Sequence, residues 1–222
     1  MALPPKRLLV LIGIGLLLLA FLVGRWLIFG DDNGEAEDPQ LVEIRQFQES
    51  GDVEGLAERV GRDDALVAGR AVEALGRVGS RSLRHIEAAM HDPRPRVREK
   101  AATAFARVAR YDNARSLARM AAKDESPNVR AAAVSGLGKL AAFDEMDTIL
   151  TAMDDPDLAV RRRAGRAARK IACAEVGYDP EASPAERRVA IERMRTHWKA
   201  EKDRAGQYWR MLYEKHPRLK DK

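Results

Sequence analysis

Five cations stand together near the end of the repeated part of this 222-residue chain: Arg162, Arg163, Arg166, Arg169 and Lys170. Counted from Val160 they fall at offsets 2, 3, 6, 9 and 10, which share one arc of a helix. Guanidinium and ammonium groups gathered on one arc suit phosphates, acidic peptides or anionic head groups. Solvated helices mix signs at i,i+4. Here like charges meet at Arg162/Arg166 and Arg166/Lys170, which costs stability unless an acidic partner or neighbour compensates. Two readings follow: a binding patch, or a solvated face that keeps the chain soluble. Arg107 and Lys139 take the same outward offset of 10 counted from Val97 and Val129, and join the candidate partner-binding set.

Residues that could carry catalysis do not converge. The four histidines, His85, His91, His197 and His216, include no pair at i,i+3 or i,i+4, the spacing that puts two metal ligands on one helix face. Cys173 is the only cysteine, so neither an intramolecular disulfide nor a thiolate cluster can form, and it is expected as a buried apolar thiol at a helix end. Gly136 and Gly138 lie within a helical pattern, where small residues allow close packing, and not in a phosphate-binding loop. No catalytic residue, metal site, cofactor or small-molecule substrate is therefore expected, and the chain is read as not an enzyme.

Asp92, Arg98, Asp124, Arg130, Asp155 and Arg161 form a second charged set. Each of these arginines follows a valine by one residue and so falls within the apolar arc, where an unpaired charge is costly. They are expected to form a structural ladder. The valines lead a repeated pattern: Val97, Ala101, Phe105 and Val108; Val129, Ala133, Leu137 and Leu140; Val160, Ala164, Ala168 and Ile171. A weaker copy runs Val67, Ala71, Leu75 and Val78. Steps of four, four and three mark one helical face, and the copies start 30, 32 and 31 residues apart. One such unit cannot bury its own apolar face, so neighbours must stack on it. Each later unit reads as helix, turn, helix, with turns at residues 91–94, 124–127 and 154–157. First helices are expected at 82–90, 114–122 and 146–153, and second helices from about 95, 128 and 158. Nothing here alternates with period two, so no sheet is expected.

The pattern Asp, often with Pro beside it, then Val-Arg, Ala-Ala and Leu resembles the HEAT repeat of the bacterial phycobilisome-lyase-like type. Asp92…Val97-Arg98…Ala101-Ala102…Phe105, Asp124…Val129-Arg130…Ala133…Leu137 and Asp155…Val160-Arg161…Ala164 carry the resemblance over about residues 52–173. It implies an all-α solenoid of about four hairpins, with Asp and Arg hydrogen-bonded along the stack and second helices lining the concave side. The first copy departs, with Arg62 in place of the Asp and Ala68 in place of the Arg, as expected of an end repeat. Some similar proteins are di-iron hydroxylases that use His-Glu pairs. Here the residues following the histidines are Ile86, Asp92, Trp198 and Pro217, so that activity is not expected. Bilin lyases share the repeat, yet no residues here mark a pigment pocket.

The flanks complete the reading. Residues 8–24 hold no charge, and the apolar character continues to Phe29. At about 1.5 Å per residue this span reaches roughly 33 Å, the length of an uncleaved membrane anchor. Lys6 and Arg7 precede it and Asp31, Asp32, Glu35, Glu37 and Asp38 follow, so the N-terminus is expected in the cytoplasm and the solenoid outside. The domains are then 1–30, cytoplasmic N-terminus and transmembrane anchor; 31–50, acidic linker and short amphipathic helix; 51–175, solenoid; and 176–222, C-terminal helical cap. In the cap, Ser183-Pro184-Ala185-Glu186 reads as a capping box opening a helix to about Ala200, with another from about Asp203 to Lys215 that either stands apart or continues it. Trp198, Tyr208, Trp209 and Tyr213 are read as a hydrophobic plug for the open end of the stack. The function these features suggest is a membrane-anchored, non-catalytic scaffold or adaptor for a protein partner. The alternative is a polyanion binder, for nucleic acid or anionic lipid, acting through the basic face.

Overall fold

The computed structural model describes residues 38–62, 64–110 and 113–215. The chain divides into two units, residues 1–39 and 40–222, and nearly everything described belongs to the second. Among the described residues all regular structure is helical. α1 (Pro39–Ser50) precedes four hairpins: α2 (Val53–Arg62) with α3 (Ala65–Val78), α4 (Leu83–Ala89) with α5 (Pro95–Val108), α6 (Arg115–Lys123) with α7 (Pro127–Lys139), and α8 (Met146–Ala152) with α9 (Leu158–Ala172). One long helix, α10 (Pro184–Lys215), ends the array.

Among the described residues no helix is long and apolar enough to cross a membrane. The longest, α10, carries charged side chains throughout its 32 residues. The expected anchor at residues 8–29 lies outside the described residues. The single-pass membrane localisation is corrected on this finding, and the functional reading below does without it.

Short local signals start the second helix of each hairpin. Asp64 caps α3 by accepting from the backbone N–H of Leu66 and Val67, and Asp157 caps α9 through Ala159 and Val160. Pro95 and Pro127 open α5 and α7, where their missing N–H would have had no helical partner. α1, expected as a short amphipathic helix, runs for 12 residues. Its Ile44 is buried, its Glu43 pairs with Arg59 of α2, and its Phe47 ring lies against Gly55.

The second helices α3, α5, α7 and α9 pack side by side as one row, each backed by its own first helix. The repeated apolar positions Val97, Ala101, Phe105, Val129, Ala133, Leu137, Val160, Ala164, Ala168 and Ile171 are fully buried. All of these but Val129 share one core with Leu56, Ile86, Leu117, Ile149 and Leu150 from the first helices. Each large apolar side chain buried this way contributes about 1.5–3 kcal/mol. Small residues set the row's spacing. A Cβ on Gly138 would lie 2.9 Å from the Ala167 Cβ, and one on Gly76 would lie 2.9 Å from the Ala104 Cβ.

That row corrects the helical-wheel expectation for its inner members. The outward offsets 2, 3 and 9 counted from Val129, and 9 counted from Val97, would turn Ala131, Ala132 and Gly138 of α7 and Ala106 of α5 to the outside; all four are buried. An inner helix is covered by its hairpin partner and by both neighbours in the row, so an Ala- and Gly-rich helix such as α7 is enclosed on three sides. Cys173 is corrected the other way. It is exposed, in a left-handed conformation (φ 51°) that ends α9.

Candidate functional site

Arginine ladder. Arg98 Nε and Nη2 donate to the two carboxylate oxygens of Asp124 at 2.8 and 3.0 Å, while Nη1 donates to the carbonyls of Asp92 and Pro93 at 3.0 and 3.1 Å. Arg130 repeats this one unit on, binding Asp155 at 2.8 and 2.9 Å and the carbonyls of Asp124 and Glu125 at 3.0 and 3.1 Å. Each arginine thus straps its own turn to the turn of the next repeat. Bidentate, charge-assisted geometry makes these pairs strong, and their burial makes the loss of one partner costly. Burial opposes ionisation of Asp124, but the Arg98 hydrogen bonds, the Ser126 N–H and the Arg98 and Arg130 charges hold its carboxyl below the usual range. Hydrogen bonds to Asp124 and Asp155 raise the pKa values of Arg98 and Arg130, respectively. With all three guanidinium nitrogens of Arg98 and of Arg130 engaged, the ladder holds the stack.

Both ends of the ladder differ from its middle. At the first repeat, where Ala68 stands for the arginine, Arg94 folds back onto its own Asp92 at 2.8 and 2.7 Å and reaches the Val60 carbonyl at 2.6 Å. The Arg94 hydrogen bonds lower the Asp92 pKa. At the last repeat, Arg161 Nε donates to the carbonyl of Pro180 at 2.8 Å, with Nη1 on the carbonyls of Asp155 and Pro156. Asp179 accepts from the Glu181 N–H at 2.8 Å, as Asp92, Asp124 and Asp155 accept from Arg94, Ser126 and Asp157. Residues 179–181 therefore form a further turn of the same kind without a first helix before it. Tyr178 packs on Gly165 and donates to the Met153 carbonyl.

Basic face. Arg162, Arg163, Arg166, Arg169 and Lys170 of α9 are all exposed, as are Arg107 of α5 and Lys139 of α7. They are not equally free. Arg162 pairs with Glu181, and Arg169 pairs with Glu175 at 2.9 Å. Lys170 Nζ donates to the Gly138 carbonyl at 2.7 Å and lies 5.9 Å from the Trp209 ring centroid; burial lowers its pKa. Arg163 and Arg166 have no ion-pair or hydrogen-bond partner among the described residues. With Ser135, Gly138, Ala167 and Lys170 they line a notch of about 110 Å³ between α7 and α9. Between α3 and α5 part of this face is neutralised, since Lys100 pairs with Glu73, which also pairs with Arg70 at 3.2 Å. A larger groove of about 770 Å³ opens between α4 and α6, lined by residues that include Met90, His91, Arg119, Met120 and Lys123.

Cap. The capping box forms: Glu186 N–H donates to the Ser183 hydroxyl at 3.3 Å, and Ser183 N–H donates to the Glu186 carboxylate at 2.9 Å. The helix it opens is continuous to Lys215, with no break near residue 201. Ile191, Met194 and Trp198 join the core, and Trp209 Nε1 donates to the Ile171 carbonyl at 3.1 Å. Tyr208 sits edge-on to Trp209 at 5.4 Å and is exposed; the Tyr213 side chain lies outside the described residues. Trp198 and Trp209 therefore close the end of the stack, and Tyr208 does not.

The HEAT repeats family matches residues 114–190. This stretch holds the third and fourth hairpins and the turn at 179–181. No curated protein matches the chain. Among solved structures, the complex of CpcE and CpcF of phycocyanin lyase from Nostoc sp. PCC7120 is similar, with 21% identity over 66% of this chain and 99% of that chain, at a TM-score of 0.49.

Sequence reasoning missed Arg94, the turn at 179–181 and the acids that hold Arg162 and Arg169. One signal was available, because Asp179-Pro180 repeats Asp92-Pro93 and Asp155-Pro156. Its distance of 24 residues from Asp155, in place of the usual 31 or 32, hid it. Among the described residues no group of three or more His, Cys, Asp and Glu is placed to hold a metal ion.

Proposed function

We propose that this chain is a non-catalytic scaffold or adaptor that binds a protein partner through its solenoid. The observation that carries this reading is the row of second helices. α5, α7 and α9 present side by side an outward face whose cations Arg107, Lys139, Arg163 and Arg166 have no partner among the described residues. Stacked repeats create extended surfaces of this kind, and such surfaces suit a partner that spans several units.

Crosslinking in the native cell, with the crosslinked positions mapped, tests it. Crosslinks to one reproducible protein at the outward face of α5, α7 and α9 are the expected result. Crosslinks confined to α10 move the binding surface to the cap and overturn the reading; so does turnover of a small molecule by the purified chain.

A further inference from the structure

We propose that the notch between α7 and α9 seats a carboxylate of an acidic segment of the partner protein, held by Arg163 and Arg166 beside the Ser135 hydroxyl. This deepens the scaffold reading and rests on it.

Of the five cations on the outward arc of α9, three are already claimed: Arg162 by Glu181, Arg169 by Glu175, and Lys170 by the Gly138 carbonyl. Arg163 and Arg166, one turn apart, remain without partners, and both line the notch with Ser135, whose hydroxyl also makes no hydrogen bond among the described residues. Arg166 has Arg162 and Lys170 at i−4 and i+4, so it stands in like-charge crowding that an arriving anion relieves. The tight approach of Gly138 to Ala167 brings α7 close enough for a serine and two arginines to share one small concavity.

The chain itself shows which anion suits this helix. Glu175 and Glu181 lie on the non-helical segment between α9 and α10 and satisfy the two flanking arginines. A glutamate or aspartate on an extended partner segment completes the set at the centre. About 110 Å³ admits a carboxylate and its neighbouring carbon, and no aromatic ring lines the notch to stack a nucleobase. Arg107 and Lys139 extend the positive field along the row, so a segment with several carboxylates is favoured over a lone one.

The probe is a fluorescent peptide of six glutamates with neutral flanks, titrated with the 222-residue chain at fixed low salt and read by anisotropy. Saturable binding is expected, and the same peptide with glutamines should not bind. The double variant R163Q/R166Q should weaken binding by at least about tenfold, because two charge-assisted contacts go. R162Q/R169Q removes equal charge from the same helix but from arginines already paired, and should weaken binding by less than about threefold.

Equal losses in the two double variants overturn the notch, leaving only a diffuse field. Equal binding of the glutamine peptide overturns it too. A single-stranded oligonucleotide of equal charge that binds more tightly, and loses binding with R163Q/R166Q, overturns the occupant. Should R163Q/R166Q melt early, the single variants R163Q and R166Q decide, each expected to lose at least about threefold. The two proposals fail separately. A crosslinked partner retained in full by R163Q/R166Q overturns the notch and leaves the scaffold. Peptide binding that follows the expected pattern, in a chain that captures no protein, overturns the scaffold instead.

Discussion

Arg130 holds the carboxylate of Asp155 in the following repeat at 2.8 and 2.9 Å, and meets Asp124 of its own repeat through the backbone carbonyl at 3.0 Å. The ladder therefore works between repeats. An array whose units contact only their neighbours depends on such links to transmit stability along its length.

Arg130→Ala should destabilise the solenoid by about 2–4 kcal/mol, since it leaves the largely buried Asp155 without its partner. Arg107→Ala, on the exposed face, should change stability by no more than about 0.5 kcal/mol. A double-mutant cycle measured by urea unfolding should show stronger coupling of Arg130 to Asp155 than to the Asp124 side chain. Equal coupling to both would reassign the rung.

Acid should unfasten the same links. The Asp124 and Asp92 pKa values are lowered in the folded chain, so their contribution is fully present above the ordinary carboxylate value near about 4 and is lost as pH falls through the lower folded values. Melting temperatures taken between about pH 5 and pH 2 should fall more steeply for the native chain than for Asp124→Asn, which has no proton to take up at that site. Parallel curves would show that Asp124 plays no part.

Gly138→Ala tests the spacing of the row. The added methyl would lie 2.9 Å from the Ala167 Cβ and 3.2 Å from its Cα, so α7 and α9 must move apart, at a cost of about 1–3 kcal/mol. Gly61→Ala, in α2 with open space around it, should not destabilise and serves as the control. A Gly138→Ala melting temperature equal to that of the native chain would mean that the helices have slack.

Tyr178 should titrate late. Burial is the main cause that pushes its phenol up to about 12, while its hydroxyl donates to the Met153 carbonyl. Stability from the neutral phenol is present below the ordinary value near about 10 and is lost as pH rises toward the folded value. Ultraviolet difference titration of the native chain against Tyr178→Phe should assign the late phenolate to this residue. A native-chain titration that ends near pH 10 would place Tyr178 in solvent.

Periodicity was enough to find the hairpins. Valine, alanine and leucine at steps of four, four and three can bury together only on one helical face, and the Asp-Pro turns between them stop one helix and open the next. The arginine after each valine announced a paired charge for the same reason, since its arc is apolar. These are local properties, carried by a few consecutive residues.

Partnership between distant residues was decided by the tertiary structure. Residues 25 and 26 apart had to meet before Asp155 could be assigned to Arg130 and Asp124 to Arg98. Ala131, Ala132 and Gly138 read as an outward face until α5 and α9 closed on either side of α7. The five cations on the outward arc of α9 read as equivalent until the segment after α9 folded back, placing Glu181 on Arg162 and Glu175 on Arg169. A helical wheel orders side chains around one axis and holds no information about which neighbour arrives on which side. Only the packed array could divide the basic arc into two neutralised edges and a free centre at Arg163 and Arg166.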